Sequence, residues 1–254
     1  MKHFVGLLLL ITTTNLWSQE IITPKVYVKL GYSSNQFAMN QINESVIDYY
    51  IEEIERLDTR INSGSSLNFS FGFNMFRYLD IGLDCQYSTG RTEYERMVEA
   101  FTPNGLDQIV SYQSARVRST NFHFSTNLLV NQLFDFKNET VKKVNQRFII
   151  GFENSIGIGF GSFDLYFDHP AMQDWWGHNI YRANGLSLNS GISLEVILSK
   201  KQIFSSIGFR AGYQFYRTSN LQRYSGDEII GFSEFSPNLD FSGFYYGIYL
   251  KLGK

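Results

Sequence analysis

The sequence predicts an all-β protein, an eight-stranded antiparallel up-and-down transmembrane β-barrel with a short helix in its first long loop. Three observations predict this fold: polar and apolar residues alternate with period two, long and short connections alternate, and no charged residue interrupts the run of bulky residues on the apolar face. The chain has 254 residues, a length at which one barrel still forms a single domain.

The period-two pattern defines the strands. Between Leu67 and Met75 every odd residue is large and apolar, and every even residue is small or polar. Because successive side chains of a strand point to opposite faces, this segment is a strand with two different faces. The same pattern predicts strands at about 25–33, 66–76, 79–89, 117–131, 147–160, 185–198, 203–217 and 240–252. Most are long enough to cross a bilayer at a tilt, which takes ~9–11 residues.

The connections between these strands alternate in length. Two are short, at 77–78 and 199–202, one is intermediate, at 132–146, and four are long, at 34–65, 90–116, 161–184 and 218–239. A barrel with both termini on one side places its short turns on that side and its long loops on the other. This arrangement is typical of outer-membrane barrels.

The composition of the two faces indicates which one is outside. The apolar face is rich in aromatic residues such as Phe122 and Phe160, whereas the opposite face is rich in Gly and Ser, as at Gly157 and Ser187. An eight-stranded interior holds only enough side chains to fill itself, so the aromatic set would overfill it. We therefore expect the apolar face to point outward and contact lipid. In a soluble lipocalin-type barrel the apolar face would instead point inward.

The amino terminus has the pattern of a secretory signal. Lys2 precedes the apolar run 4–11, and a stretch of small and polar residues leads to an expected cleavage after Ser18. The apolar run is too short to span a membrane as a helix, which takes ~20 residues. The sequence therefore predicts a signal peptide at 1–18 and one outer-membrane β-barrel domain at 19–254.

Composition excludes several functional classes. The formal net charge is −2, which gives nucleic acid no electrostatic footprint. Cys85 is the single cysteine, so no intramolecular disulfide or Cys-based zinc site is possible. The four histidines lack metal-ligand spacing, and no phosphate-binding or dinucleotide-binding motif is present. We expect no cofactor and no metal, and we expect outer-membrane lipid and possible envelope proteins at the loops as partners.

A few charged residues interrupt the small-residue face and define the expected lumen. They are Lys25, Lys29, Asp84, Glu153, Glu195, Arg210 and Lys251. Charges inside a narrow barrel must pair or keep water. The pattern predicts a charge network of Lys29, Asp84, Glu153, Glu195 and Arg210. One interpretation is a filled polar lumen that sets the register of the strands, and the other is a gated path for ions or small solutes.

One strand carries candidate catalytic residues. His123 and Ser125 share a face of that strand, and Glu153 lies on the next strand, so the three could form a hydrolytic triad. The His-x-Ser pair resembles that of PagL-type lipid A deacylases, which are small outer-membrane barrels. This resemblance implies a lipid A-modifying hydrolase. The alternative, which we favour, is that all three are polar lumen residues, since Phe122 and Phe124 occupy the lipid face.

Two of the long loops carry further signals. Apolar residues at three- and four-residue spacing predict a helix over 41–60, which would cap the barrel mouth, pack on other loops or bind a partner. The loop at 161–184 is rich in aromatic residues, which are favoured at binding hot spots but also serve loop packing. The binding candidates there are Tyr166, Trp175, Trp176, His178 and Tyr181.

The segments 73–83 and 243–250 resemble those of the small "outer membrane β-barrel domain" or porin-family proteins, in a style similar to that of Bacteroidota. The end of the chain, Leu252-Gly253-Lys254, departs from the usual final aromatic residue. The resemblance implies a barrel in a bacterial outer membrane, reached by signal-dependent export, and implies no catalytic residue. We expect a structural or loop-mediated binding role. The alternatives are a narrow porin-like channel, a lipid A-modifying hydrolase and an accessory subunit of a larger secretion or transport complex.

Overall fold

The computed structural model describes residues 26–47, 60–102, 105–134, 138–145, 147–168, 177–198, 204–225 and 237–253. The predicted signal peptide, Lys25, Trp175 and Trp176 lie outside these ranges, as does most of the helix predicted at 41–60.

The described chain is built almost entirely of strands. They are β1 (Val26–Gln36), β2 (Ser63–Phe76), β3 (Leu79–Thr102), β4 (Gly105–Leu129), β5 (Phe148–Asp168), β6 (Gly177–Ile197), β7 (Phe204–Asn220), β8 (Gln222–Ser225), β9 (Asn238–Asp240) and β10 (Gly243–Gly253). The helical segments are α1 (Asn40–Ile42), a π-helical turn (Asn43–Ile47), a 3₁₀ turn (Val130–Gln132) and α2 (Glu139–Asn145). Within the described residues, no helix is both long enough and apolar enough to cross a membrane.

Eight of the strands close into an antiparallel ring. The order is β1-β2-β3-β4-β5-β6-β7-β10 and back to β1, so ring neighbours follow one another in sequence apart from the short strands β8 and β9. Closure is visible in two pairings, Tyr27 opposite Gly253 and Ser187 opposite Tyr216. Among the described residues, strand β8 pairs only with β6, and β9 only with β7. The predicted eight antiparallel strands are therefore confirmed.

The prediction was wrong about two of the long loops. The segment 90–116 is not a loop, because β3 and β4 continue as one hairpin in which Met97 lies opposite Val110. Most of 161–184 likewise continues β5 and β6, whose described pairing reaches Phe167 opposite Gly177. The alternation of large apolar and small residues fades in these extensions although the hydrogen-bonded ladder continues, so the sequence pattern ended the strands too early.

The two ends of the ring differ. The short-turn end holds Val26, Gly253 and the tight turn at Arg77 and Tyr78 between β2 and β3. The connection from β4 to β5 also lies there and contains the 3₁₀ turn and α2, which the sequence pattern did not predict. The opposite end, here the long-loop end, holds the β3–β4 hairpin and the segments that enter and leave α1 and β9.

The outer surface of the ring is apolar. All eight ring strands expose large apolar side chains on their outward face, with exposed fractions of 62% at Leu83, 58% at Ile158 and 62% at Ile192. The inward face is polar and buried, as at Ser119, Gln214 and Glu195. The predicted orientation, with apolar side chains outward and small or polar ones inward, is confirmed.

A compact apolar core closes the ring at the long-loop end. Strand residues such as Val117, Phe163 and Tyr216 point into the ring and are fully buried against loop residues, including Ile42 and Phe241. We call this core the cap. The interior therefore has an apolar layer at one end and a polar layer along the rest of its length.

Candidate functional site

Five charged side chains form one connected group inside the ring, near the short-turn end. Lys29 Nζ lies 3.0 Å from Glu153 Oε1 and 3.7 Å from Glu195 Oε1. Lys251 Nζ lies 3.1 Å from Asp80 Oδ2 and 3.7 Å from Glu195 Oε2. Glu195, which is almost completely buried, therefore joins the two lysines. We call these five residues the lumen cluster.

Tyrosine rings pack around the two lysines of the lumen cluster. Lys29 Nζ lies 4.9 Å from the ring centroid of Tyr249, and Lys251 Nζ lies 4.3 Å from that of Tyr27. The Tyr249 hydroxyl donates a hydrogen bond of 2.9 Å to Glu195 Oε1. Cation–π contacts and charge-assisted hydrogen bonds gain strength where water is excluded. The lumen cluster is thus a packed and hydrogen-bonded plug.

The predicted charge network corresponds only in part to this group. Lys29, Glu153 and Glu195 are brought together as expected, and Asp80 is a member that the sequence analysis missed. Asp80 has the same strand parity as the predicted Asp84, so the period-two pattern could have identified it.

Asp84 and Arg210 line a cavity that adjoins the lumen cluster on its long-loop side. This cavity has a volume of about 50 Å³, and most of the residues that line it are polar, including Lys29 and Glu153 of the cluster. Arg210 is held by Ser33 Oγ at 3.3 Å from Nη2. The side-chain amide of Asn127 is buried and finds no hydrogen-bond partner among the described residues. A polar space of this size holds about three water molecules.

A layer of amide side chains separates this cavity from the cap. Gln86 on β3 donates a hydrogen bond across the ring to Gln214 Oε1 on β7, at 3.0 Å. Asn189 Nδ2 lies 3.5 Å from Gln86 Oε1, and Ser66 Oγ lies 3.4 Å from Gln86 Nε2. Three successive layers of side-chain contacts thus cross the interior, which are the lumen cluster, this amide layer and the cap.

The three catalytic candidates do not form a triad. His123 Nε2 lies 2.8 Å from the Oγ of Ser187 on β6, and both residues are buried. Ser125 and Glu153 instead line the polar cavity, and the bonded partner of Glu153 is Lys29. Ser187 was missed by the sequence analysis because it lies two strands away from His123.

The cap holds the first and last loop segments in place. Asn43 Oδ1 accepts a hydrogen bond of 2.9 Å from the Ile61 amide, so both ends of the first loop are joined. The Phe241 ring stacks on Tyr216 at 5.3 Å and meets the edge of Phe37 at 5.3 Å. Of the helix predicted over 41–60, residues 41–47 are described in helical conformation, within α1 and the π-helical turn, and this part contributes to the cap.

The described aromatic candidates of the predicted binding loop do not lie together on one loop. Tyr181 is buried in the cap against Phe163 rather than on a loop, with ring centroids 6.3 Å apart. Tyr166 and His178 pair across β5 and β6, with ring centroids 6.4 Å apart, and His178 is exposed. Of the described candidates, only Tyr166 and His178 remain available at this end.

Within the described ranges, no three His, Cys, Asp or Glu side chains come together as metal ligands would. Cys85 is on the outward face of β3, opposite Phe69 and Phe122, where it is partly exposed.

Comparison with known proteins yields structural likeness alone. No protein-family model matches the sequence, and no curated protein matches it. The attachment invasion locus protein Ail of Yersinia pestis matches with a TM-score of 0.42 and 10% identity, over 91% of this chain and 100% of Ail. Neisserial surface protein A matches with a TM-score of 0.41 and 9% identity, over 91% and 99%. The outer membrane protease OmpT of Escherichia coli matches with a TM-score of 0.41 and 7% identity, over 94% and 99%. The fold assignment rests on the strand pairing of the chain itself.

Proposed function

We propose that this protein is an integral β-barrel of a bacterial outer membrane, with a filled lumen and a structural or binding role at its long-loop end. The observation that carries this proposal is the inverted polarity of the ring. Large apolar side chains are exposed on every ring strand, while ion pairs and amides are buried inside. Soluble domains show the reverse arrangement, since their charged residues are rarely buried.

The height of the apolar surface supports this proposal. On β5 the outward apolar residues run from Phe148 to Phe160, bounded by Arg147 and Ser162. Strands that rise ~3.3 Å per residue at a tilt of ~45° would place the ends of this run about 28 Å apart along the barrel axis. The lipid-facing band of outer-membrane barrels is ~25 Å tall.

The three layers of side-chain contacts support a lumen that does not conduct. A hydrated ion would have to displace the Lys29–Glu153 pair, the Gln86–Gln214 bond and the cap in turn. The Gln86–Gln214 bond and the cap are buried and the ion pair is partly buried, and the described cavity between them holds only a few water molecules. This favours the filled-lumen interpretation over a narrow porin-like channel.

The long-loop end offers an ordered surface for a partner. The β3–β4 hairpin pairs without interruption to Thr102 opposite Gly105, and its outward face exposes Met97, Leu106 and Val110. Several exposed apolar side chains that lie close together indicate an interaction site, whereas single exposed apolar residues are common on any protein surface. We propose that this hairpin carries the binding role and that its partner is another envelope protein.

The first experiment combines membrane fractionation with single-channel recording. We expect the full-length chain, expressed in a Gram-negative host, to be recovered in the outer membrane and to migrate as a compact species before heating. In planar bilayers the purified protein should be electrically silent. Discrete, salt-dependent current steps would contradict the filled lumen and favour the channel alternative.

Arg210→Ala is the matched variant for this recording. It removes a charge beside the cavity and leaves the amide layer and the cap in place. We expect it to be as silent as the unaltered protein. Current that appears only in Arg210→Ala would indicate that the charges gate a path.

We propose no hydrolytic role for His123, because its bonded partner Ser187 is buried inside the ring. We therefore expect the lipid A mass spectrum of cells to be the same with and without the protein, and the same again for Ser125→Ala. A deacylated lipid A species that depends on Ser125 would support the hydrolase alternative.

A further inference from the structure

Five arginine side chains form a row on the outward face of the ring at the long-loop end. They are Arg91 on β3, Arg116 and Arg118 on β4, Arg182 on β6 and Arg217 on β7. Each has the strand parity of the outward apolar residues, and four are exposed, with Arg118 half-buried. We call them the arginine row.

The arginine row directly adjoins the apolar surface. Arg118 precedes the exposed Phe122 by four residues along β4, and Arg217 follows the exposed Phe215 by two residues along β7. In a membrane-spanning barrel these positions lie at the level of the lipid headgroups, where side chains leave the hydrocarbon region. The row faces sideways, in the same direction as the apolar surface.

Acidic side chains neutralise only part of the row. The described acidic neighbours are Glu93, 2.6 Å from Arg91, Asp164, which pairs with Arg118, and Asp240, opposite Arg217 in the strand pairing. Asp164 is also opposite Arg116 in the ladder, but its ion pair is with Arg118. Arg116 and Arg182 therefore form no ion pair with a described residue.

Arg116 and Arg182, the two arginines without an ion pair to a described residue, differ in their surroundings. Arg116 faces a like charge, and Arg182 is held by an aromatic ring. Arg116 lies directly opposite Arg91 in the β3–β4 ladder, and like charges opposite one another destabilise a sheet. The guanidinium of Arg182 is stacked over the Tyr224 ring, with Cζ 3.3 Å from its centroid. An anion placed next to Arg91 and Arg116 would relieve the repulsion between them. An anion next to Arg182 would meet a guanidinium group that Tyr224 already holds in one orientation.

We infer that the arginine row binds the phosphate-bearing headgroups of anionic lipids in the leaflet at the long-loop end. The guanidinium group presents two parallel donors that match a phosphate. A soluble anion would approach from the loops, whereas the row faces sideways and adjoins the surface that lipid tails would cover. This inference rests on the proposed membrane location.

The row covers one side of the ring only. At the same edge, β1 presents Ser34 and Gln36 outward, and β2 presents Ser63 and Ser65. We therefore expect anionic lipid to bind along the β3–β7 side. The remaining side should show no preference for anionic over neutral headgroups.

The test is titration of the detergent-solubilised full chain with diphosphoryl lipid A or phosphatidylcholine, followed by native mass spectrometry. We expect lipid A to bind in preference, and the preference to fall as ionic strength rises. Arg116→Gln with Arg182→Gln should weaken lipid A binding about thirtyfold, since each of the two arginines near a membrane surface contributes about 1 kcal/mol and about 1.4 kcal/mol is tenfold. Arg116→Lys with Arg182→Lys should lose less, because the charge stays while the paired donors are lost.

The matched control is Arg77→Gln with Arg147→Gln, which removes two exposed arginines from the short-turn end. Equal weakening by this control, or no weakening by the Arg116 and Arg182 pair, would overturn the inference. Displacement of lipid A by an equal concentration of inorganic pyrophosphate would identify a site for soluble anions instead. Failure of the unaltered chain to insert into phosphatidylcholine vesicles would refute the membrane location itself, which is a separate result.

Discussion

Gly157 on β5 lies between His123 on β4 and Ser187 on β6, and its lack of a side chain lets these two residues meet across the intervening strand. In the ladder His123 lies opposite Gly157, and Gly157 lies opposite Ser187. The His123 Nε2 to Ser187 Oγ distance is 2.8 Å. The small residues on the inward face therefore leave the space in which polar side chains contact partners two strands away.

Gly157→Ala should destabilise the protein strongly. An added Cβ would lie 1.8 Å from the Phe122 carbonyl oxygen and 2.7 Å from the His123 Cα, so backbone would have to move. We expect a loss of about 3 kcal/mol or more in the free energy of unfolding, at the upper end of overpacking effects. Urea-induced unfolding in lipid vesicles measures it.

Gly161→Ala is the control on the same strand. The nearest atoms to its added Cβ all belong to side chains, namely the methyl groups of Leu239 and Thr218, each at 3.0 Å, and Phe241 Cε2 at 3.5 Å. These groups can yield, so the loss should be about 1 kcal/mol. Equal losses at the two glycines would show that the close approach at Gly157 is not decisive.

Lys251→Met should also be costly, because it leaves Asp80 and Glu195 as buried carboxylates with one cation fewer. Breaking a buried pair by removing one partner costs about 3–5 kcal/mol. In the double variant with Asp80→Asn, part of that loss should return, which gives a coupling energy of about 1–3 kcal/mol. Urea unfolding of the two single variants and the double variant measures this cycle.

The exposed ion pair of Arg91 and Glu93 provides a comparison. Its side chains are 54% and 38% exposed, and such pairs contribute less than about 1 kcal/mol. Arg91→Gln should therefore leave the unfolding midpoint almost unchanged. A loss as large as that of Lys251→Met would contradict the assignment of the lumen cluster as the dominant ionic contribution.

The strands and their two faces could be predicted from sequence because both depend on local alternation. The extent of β3 and β5 could not, because outward residues beyond the apolar surface, such as Glu93 and Ser162, no longer face hydrocarbon and lose the bulky half of the pattern. Strand pairing there continues through backbone hydrogen bonds, which leave little trace in side-chain composition.

The sequence indicates which residues belong to the lumen cluster more readily than it indicates which of them form ion pairs with one another. Lys29 lies opposite Ser70 and Lys251 in the ladder, yet its bonded partner Glu153 reaches it from β5, on the far side of the ring. Contacts across the lumen depend on the stagger of all the strands together, which local sequence does not encode. The same reason explains why Ser187, rather than Ser125, is found at His123.

Phe241→Ala should loosen the cap. The side chain is fully buried between Phe37 and Tyr216, so its removal creates a cavity as well as losing apolar burial. The expected loss is about 3–5 kcal/mol in the free energy of unfolding. Conductance should stay at zero, because the lumen cluster and the amide layer remain closed.

Phe244→Ala tests the same residue type on the outward face, where Phe244 is 64% exposed. Its loss should be clearly smaller than that of Phe241→Ala, because lipid fills the space that the ring leaves. If the two variants were equally destabilised, or if Phe241→Ala alone produced current steps, the layered closure of the lumen would have to be revised.

Trimming the β3–β4 hairpin should separate the ring from the proposed binding surface. Replacing residues 96–111 by a two-residue Asn-Gly turn removes the projecting pairs and leaves Glu95 and Tyr112 to flank the new turn. The described pairing of β4 with β5 begins at Tyr112 and that of β3 with β2 ends at Thr89, so the trimmed chain should still fold into the compact species seen before heating. Envelope proteins cross-linked to the unaltered chain in whole cells should be missing from the trimmed one. The substitutions Met97→Ser and Val110→Ser, which keep the hairpin at full length, should weaken the same cross-links, and unchanged cross-linking in both forms would place the binding surface elsewhere.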